Sequence, residues 1–456
     1  MAGLPLKTKI LKMENNKYPF YFIITAMLSL FLGMIFGLLG GLQYVFPDFI
    51  KEQLRFNAIR PLHTLFVVSW ILLAAIRGIY YYLKSNSNFK FYSDTLVKGH
   101  FWLFILTGIG IAFSYLSKNF AGKEYLEFPS YYYFPIVLGW ILFGINYFKS
   151  VLSSFKNWPV YYYMWSTGIV LMIFHFTEAH LWLLPYFRDN FIQNIAVQWK
   201  AGGSYVGSWN MLVYGTALFV MEKISGESNY ATSKKAFFFY FLGLTNLMFG
   251  WAHHIYMVPT APWIRYFAYV ISMTEWIILF SIIYDWRKNL SQEKKIQFSI
   301  AYKFMILADL WVFLNIIVAL LISIPSINLF THGTHITVAH SMGTTIGINT
   351  LILFSSITYI FNNAFSFTEK TIQNLKIGIK IFHISFILFW TTLLIMGLKK
   401  SIWLFGNSTE NFSKFQESQH NLNITFVLFG LGIITGLGII IINLFKTFQQ
   451  KHLKNI

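Results

Sequence analysis

The sequence predicts an all-α protein that crosses a membrane many times, and three observations lead to this class. Hydrophobic residues make up 56% of the 456-residue chain and charged residues only 11%, whereas soluble proteins carry about 25% charged residues. About twelve apolar segments are long enough to cross a bilayer as helices. Lysines and arginines gather in alternate connections between these segments, as expected when those connections remain in the cytoplasm.

The predicted spans follow one another without a polar segment large enough for a second domain. Residues 1–456 are therefore expected to form a single integral membrane domain. Each span is a run of mainly apolar residues bounded by polar or basic ones. The spans lie at roughly 19–45, 62–84, 99–117, 130–150, 160–184, 203–223, 236–258, 263–286, 301–324, 335–361, 376–397 and 423–446.

The even number of spans places both termini on the lysine-rich, cytoplasmic side of a bacterial inner membrane. Four lysines precede the first span, namely Lys7, Lys9, Lys12 and Lys17. No small-residue cleavage site follows that apolar run, so we expect a retained first helix and not a signal peptide. The net charge of +18 follows from this arrangement of connections and does not indicate a nucleic-acid partner.

The sequence contains no cysteine. Disulfides, thiolate metal sites, iron–sulfur clusters and covalently attached c-type haem on this chain are therefore excluded. Any metal or haem ligand must come from histidine, methionine, tyrosine or a carboxylate.

A segment from Thr331 to Gly343 carries the pattern THGTHITVAHSMG. His340 and Met342 are two positions apart, about 200° around a helix, so one helix can present axial ligands on two opposite faces. A second apolar span carries the pair His253 and His254. Imidazoles in membrane spans are costly without partners, which indicates a cofactor site inside the bundle.

These side chains are predicted to share one depth, near the outer ends of their spans. His63 begins the second span, and Glu275 lies in the outer half of the eighth. Side chains that converge at one depth from different helices are what a metal site in a helical bundle requires.

Four segments together resemble the large catalytic polypeptide of bacterial cytochrome-c-dependent nitric oxide reductases, which is a subunit I of the haem-copper oxidase superfamily. The segments are GLLGGLQYVFPDF (37–49), FNAIRPLHT (56–64), WAHHIYMVPTAP (251–262) and THGTHITVAH (331–340). The resemblance covers nearly the whole chain and implies a subunit I-like bundle of about twelve transmembrane helices.

The resemblance implies two haems b. His63 would be an axial ligand of the low-spin haem and His340 the proximal ligand of the high-spin haem, with His332 and Arg60 near the propionates. Where the family has the second histidine of the low-spin haem, this chain has Met342. Methionine is a soft axial ligand that raises the haem potential relative to histidine.

The resemblance also implies a non-haem iron, or copper, bound by His253 and His254, with Glu275 as proton carrier. The family's third histidine and a nearby glutamate fall on Gly202 and Val206, which cannot bind a metal.

His180, at the outer end of the fifth span, is a candidate replacement for the missing histidine.

The implied function is reduction of nitric oxide to nitrous oxide. Electrons would come from a small cytochrome c-type subunit, or another external donor, through the low-spin haem. Because the metal ligands are altered, nitric oxide dismutation and oxygen reduction remain open. A haem protein that only relays electrons or senses a gas is a further alternative.

Overall fold

The computed structural model describes residues 18–86, 90–152, 158–406 and 410–452. Within these ranges the regular secondary structure is helical. The long helices are α1 Tyr18–Val45, α2 Phe56–Ser85, α3 Asp94–Leu116, α4 Tyr133–Val151, α5 Val160–Glu178, α6 Phe191–Ser225, α7 Lys234–Phe249, α8 Pro262–Ile271, α9 Thr274–Asn289, α10 Ser299–Ser323, α11 His335–Met342, α12 Leu351–Phe365, α13 Glu369–Phe405 and α14 His420–His452.

Shorter elements connect the long helices. Five are α-helical, at Pro185–Arg188, Asn229–Thr232, Gln292–Gln297, Pro325–Thr331 and Phe412–Ser418. Three are 3₁₀ turns, at Ser130–Tyr132, Leu181–Leu183 and Gly250–Ile255. A π-helical stretch, Gly343–Thr350, joins α11 to α12 in one continuous rod.

Nine helical segments in the described part of the chain are long and apolar enough to cross a membrane. They are Phe20–Val45, Phe56–Ser85, Asp94–Leu116, Ser130–Val151, Pro262–Asn289, Ser299–Ser323, His335–Phe365, Glu369–Phe405 and His420–Gln449. The other predicted spans correspond to α5, α6 and α7, which are outside this group. The all-helical prediction is confirmed, and twelve crossings remain a prediction. The lysines that precede the first span lie outside the described residues.

Two helices extend well beyond the apolar runs that predicted them. α6 begins at Phe191 because the Asn190 side chain accepts a hydrogen bond from the Gln193 amide at 3.0 Å, so much of the predicted connection 185–202 is helical. α13 begins after Thr368, whose hydroxyl caps the Thr371 amide at 3.2 Å. Hydropathy marks only the lipid-length part of a helix, whereas capping side chains set where it begins.

Glycines allow helices to approach closely in the bundle, as is typical of membrane proteins. A Cβ atom at Gly33 would lie 2.9 Å from Val67, and one at Gly37 would lie 2.9 Å from the His63 ring. α1 and α2 therefore pack backbone to side chain around His63.

The rod from α11 to α12 is held against α10 in the same way. A Cβ atom at Gly343 would overlap the Asn315 side chain, and one at Gly347 would lie 2.7 Å from Trp311. Larger residues at these positions would push the two helices apart. This close approach coincides with the π-helical stretch, a feature found frequently at functional sites.

Two glycines of α14 provide a matched test of this packing. A Cβ atom at Gly436 would overlap the main-chain nitrogen of Phe382, whereas one at Gly438 meets no heavy atom within 4 Å. We expect Gly436→Ala to destabilise the protein by about 1–3 kcal/mol through overpacking. Gly438→Ala should be neutral or stabilising, because alanine is the better helix former by about 1 kcal/mol. Thermal unfolding of both purified variants in detergent measures the difference, and equal stabilities would contradict the observed packing.

Candidate functional site

His63 is oriented by a main-chain carbonyl of the neighbouring helix. Its Nδ1 atom lies 2.7 Å from the Gly33 carbonyl oxygen, and only a protonated nitrogen can donate to that acceptor. In the neutral ring Nε2 then carries the lone pair, which is how histidine ligands are commonly prepared for a metal. This arrangement fits an axial haem ligand.

Arg60, one turn before His63, is engaged by the connection between α3 and α4. Its guanidinium donates to Glu124 at 2.9 Å and to Glu127 at 3.3 Å, and it lies over the Tyr125 ring. Burial raises the pKa of Glu127, and the charge of Arg60 opposes this shift. A haem propionate would have to share Arg60 with these two carboxylates, so its predicted propionate role remains a prediction.

The helix that carries His340 is fixed by side chains from two other helices. The Trp390 indole of α13 donates to the Ala339 carbonyl at 2.9 Å. The Asn315 amide of α10 donates to the His340 carbonyl at 3.0 Å and to the Thr344 hydroxyl at 2.9 Å. The His340 Nδ1 atom is itself buried without a hydrogen-bond partner. A rigid backbone that presents an unpartnered imidazole fits a haem ligand.

Met342 and His63 lie at similar heights on adjacent, parallel helices. The Trp70 indole of α2 donates to the Thr350 hydroxyl at 3.0 Å, and farther along both helices the Tyr82 and Ser356 hydroxyls are hydrogen-bonded at 2.5 Å. His63 is seven residues before Trp70, and Met342 is eight before Thr350. Each therefore lies about 10 Å from the Trp70–Thr350 contact in the same direction.

His253 and His254 lie on the 3₁₀ turn Gly250–Ile255, which directly follows α7. Their ring centroids are 4.2 Å apart. The Trp199 indole of α6 is stacked on His254 at 5.0 Å, and the His332 ring lies 6.4 Å from His254. His332 precedes α11, and burial lowers its pKa. The structure thus places His332 beside the paired histidines, while its predicted contact with a propionate remains a prediction.

Glu275 is a buried carboxyl group close to both histidine segments. Its Oε1 atom accepts a hydrogen bond from the Asn246 amide of α7 at 2.8 Å, and its Oε2 atom is buried without a partner. The adjacent Trp276 ring lies 6.0 Å from the His340 ring. Glu275 is therefore connected to the turn of the histidine pair through Asn246, and its neighbour contacts the haem-ligand candidate.

The backbone before Glu275 is strained. Met273 separates α8 from α9 with φ 58°, a left-handed conformation that side chains other than glycine rarely adopt. Such strain persists where surrounding structure holds it in place, and it is common near active sites. Here the Asn246 side chain also accepts from the Met273 amide at 3.4 Å.

The position predicted for a third metal ligand offers no donor atom. A Cβ atom at Gly202 would meet no heavy atom within 4 Å, and Val206 is an apolar side chain packed against the core. Among the described residues, no group of three histidines, cysteines or acidic residues is arranged to hold a metal ion. The haem ligands fit their cofactors, whereas the donor set for a non-haem metal is incomplete.

His180 lies in an aromatic environment. Its ring is 4.8 Å from the Phe176 ring and 4.9 Å from the Tyr133 ring, and Nδ1 donates to the Phe176 carbonyl at 2.8 Å. The contacts described for His180 do not include His253 or His254, so its role as replacement ligand receives no support from the packing.

Five side chains that shape the site were not singled out from the sequence. They hold the ligand segments without being ligands themselves, and they are Trp199, Asn246, Trp276, Asn315 and Trp390. Asn246 and Asn315 had one available signal, since an amide in an apolar span needs an internal partner. The tryptophans could not be distinguished from the many others in the chain.

Comparisons with known proteins agree with this geometry. Residues 18–446 match the family described as Cytochrome C and Quinol oxidase polypeptide I. One polypeptide of the nitric oxide reductase of Stutzerimonas stutzeri is 24% identical over 363 residues, which are 74% of this chain and 73% of that protein.

Two oxidase sequences and one structure are also similar. The cytochrome c oxidase subunit 1 homolog of Agrobacterium tumefaciens (strain T37) is 23% identical and cytochrome c oxidase subunit 1 of Rhodobacter capsulatus is 22% identical. Each similarity covers 72% of this chain but only 63% and 64% of those proteins, respectively. A haem-copper terminal oxidase dimer solved by cryo-electron microscopy has a similar fold, with a TM-score of 0.65, 13% identity, and coverage of 98% of this chain and 84% of that chain.

The hydrogen bond between Asn246 and Glu275 can be tested without any cofactor readout. We expect Asn246→Ala to destabilise the protein by about 1–3 kcal/mol, because it leaves a buried carboxyl group without its donor. In a Glu275→Leu background the same substitution should cost less, and the two changes should be non-additive. Thermal unfolding of the two single variants and the double variant measures this coupling. Additive effects would show that the two side chains do not interact.

Proposed function

Because the chain belongs to the Cytochrome C and Quinol oxidase polypeptide I family, we propose that it is a haem-containing respiratory oxidoreductase of the bacterial inner membrane. The proposed reaction converts two nitric oxide molecules, two electrons and two protons into nitrous oxide and water. The similarity to the nitric oxide reductase polypeptide, which extends over about three quarters of both chains, supports this choice over oxygen reduction.

One observation carries the proposal, namely the connection between the paired histidines, Glu275 and His340. Asn246 and Glu275 are hydrogen-bonded at 2.8 Å, Asn246 is on the helix that leads into the histidine turn, and Trp276 contacts the His340 ring. The side chains implied by the resemblance thus form one cluster in space, although they are up to 87 positions apart (340 minus 253).

Two haems b would be held by residues with the required donor atoms. His63 Nε2 and the Met342 sulfur would hold the low-spin haem, and His340 would hold the high-spin haem. When bound, the haem irons supply the redox and gas-binding chemistry. The protein residues orient these ligands through Gly33, Asn315 and Trp390 and surround them with an apolar bundle.

Glu275 is the proposed proton carrier. Asn246 donates to Oε1, so Oε1 serves as the acceptor and the unpartnered Oε2 is the atom that can carry a proton. The strained Met273 holds the start of α9 so that this oxygen stays inside the bundle. A carboxyl group in this position can deliver a proton where bulk water is excluded.

The proposed electron donor is a small cytochrome c-type subunit that docks on the outer face. Basic residues in the last turns of α2, α4, α6 and α9, such as Lys84 and Lys149, all fall at the opposite, lysine-rich end if the spans alternate in direction. By the positive-inside rule that end faces the cytoplasm. Both termini would then be cytoplasmic, and twelve spans would cross the lipid bilayer.

The incomplete metal-donor set favours a second candidate. With Gly202 and Val206 where the family has ligands, the same scaffold could perform nitric oxide dismutation or oxygen reduction. It could also relay electrons or sense a gas without turnover. These alternatives share the haem ligands with the main proposal and differ from it in the non-haem metal and the product.

Anaerobic turnover of the purified, metal-quantified protein with isotopically labelled nitric oxide tests the function. We expect labelled nitrous oxide, detected by mass spectrometry, and a rate reduced roughly a hundredfold or more by Glu275→Gln. Asp309→Asn is the matched control, because Asp309 is another buried carboxyl group with an unpartnered oxygen. Dinitrogen with oxygen as products would indicate dismutation. Two haems without any turnover would indicate a relay or sensor.

Neighbouring glycines test the open ligand position. A histidine at Gly202 enters open space, whereas one at Gly203 would begin 2.5 Å from the Trp251 side chain. We expect Gly202→His to keep the stability of the parent protein and to raise non-haem iron per chain, because it supplies a third donor. Gly203→His should destabilise the protein and bind no additional iron. Metal analysis and thermal unfolding of both variants measure this, and unchanged iron in a stable Gly202→His variant would contradict the assignment.

A further inference from the structure

A cavity of about 1030 Å³ lies at the lysine-rich end of the bundle, far along the chain from the histidine cluster. It is formed by the end of α9, the short helix Gln292–Gln297, and the first turns of α10 and α13. Five cationic side chains line it and no carboxylate does. They are Arg287, Lys288, Lys295, Lys303 and Lys376.

These five cations lack ion-pair partners. In the described ranges of the chain, none of them lies within 4.0 Å of a carboxylate oxygen, whereas other lysines have such contacts. Lys235 is 2.6 Å from Asp285, and Lys84 is paired with Asp94. Positive side chains gathered without counter-charge repel one another, so an anionic ligand would stabilise this arrangement. The positive-inside rule accounts for lysines at this end but not for a cavity that collects them.

The cavity also has apolar walls that continue along the lipid-facing side of α10. Ile306 lines the cavity, and Leu310, Phe313, Ile317 and Leu321 follow it at helical spacing, with 38–48% of each side chain exposed. Residues three and four apart lie on one face of a helix. This face extends about 22 Å from the cavity, comparable to a long acyl chain.

We propose that this cavity binds an anionic phospholipid. The phosphate lies among Lys303, Lys376 and Arg287, and the acyl chains lie along the apolar face of α10. Basic pockets between membrane helices on the cytoplasmic side commonly bind such headgroups. A free phosphate ion would use the cations but not the adjoining apolar face, so the combination favours a lipid. The Tyr284 side chain, half exposed at the rim, can donate an additional hydrogen bond.

Native mass spectrometry of the full-length protein, titrated with phosphatidylglycerol or phosphatidylcholine, tests the proposal. The parent protein should bind one phosphatidylglycerol at least about tenfold more tightly than phosphatidylcholine, as expected for several cations near one phosphate. Lys303→Gln with Lys376→Gln should abolish this preference. If that variant does not fold, Lys288→Gln, at an exposed position, should weaken it about fivefold.

The matched control removes the same charge outside the cavity. Lys294→Gln with Lys370→Gln changes two lysines of the same segments that do not line it, and it should retain the preference. Equal loss in both double variants would show general surface charge and overturn the proposal. Equal binding of the two lipids by the parent protein would also overturn it, as would displacement of phosphatidylglycerol by millimolar inorganic phosphate.

Discussion

Polar groups inside this bundle must find partners within the protein, because lipid supplies none. The haem-ligand candidates show how the chain meets this constraint. His63 donates to a carbonyl of α1 exposed by glycine packing, and the backbone around His340 accepts hydrogen bonds from Asn315 and Trp390. The same bonds that satisfy polar atoms fix the direction of each imidazole. Ligand orientation is therefore a consequence of how three other helices pack against α2 and α11.

Polar atoms that remain without partners are concentrated where chemistry is proposed. They include Oε2 of Glu275 and the Nδ1 atoms of His253 and His340, and the left-handed Met273 lies immediately beside them. Buried unpartnered atoms and backbone strain both cost stability. Their position between α7, α9 and α11 indicates that this cost is tolerated for function. The open space at Gly202 belongs to the same region and is the feature that distinguishes this chain within its proposed reaction class.

The cationic side chains separate into two groups with different physical roles. Lysines such as Lys235 have acidic partners, and their number reflects the orientation of the chain in the bilayer. The cations around the cavity at α10 and α13 lack such partners among the described residues, and their repulsion is relieved only by a ligand. A lipid held there would connect α9, α10 and α13, two of which also support the catalytic cluster through Asn315 and Trp390.

The sequence by itself determined the helical membrane class, the approximate positions of the spans and the histidines of the cluster. Composition and hydropathy depend on local residue type, and imidazoles in apolar spans are rare enough to be recognised. The helix starts at Phe191 and Glu369 escaped prediction because capping side chains lie outside the apolar runs. Only tertiary structure decided the π-helical stretch, the break at Met273, the engagement of Arg60 by two glutamates and the position of His332 beside His254. These depend on contacts between residues distant in the chain, which no local pattern encodes.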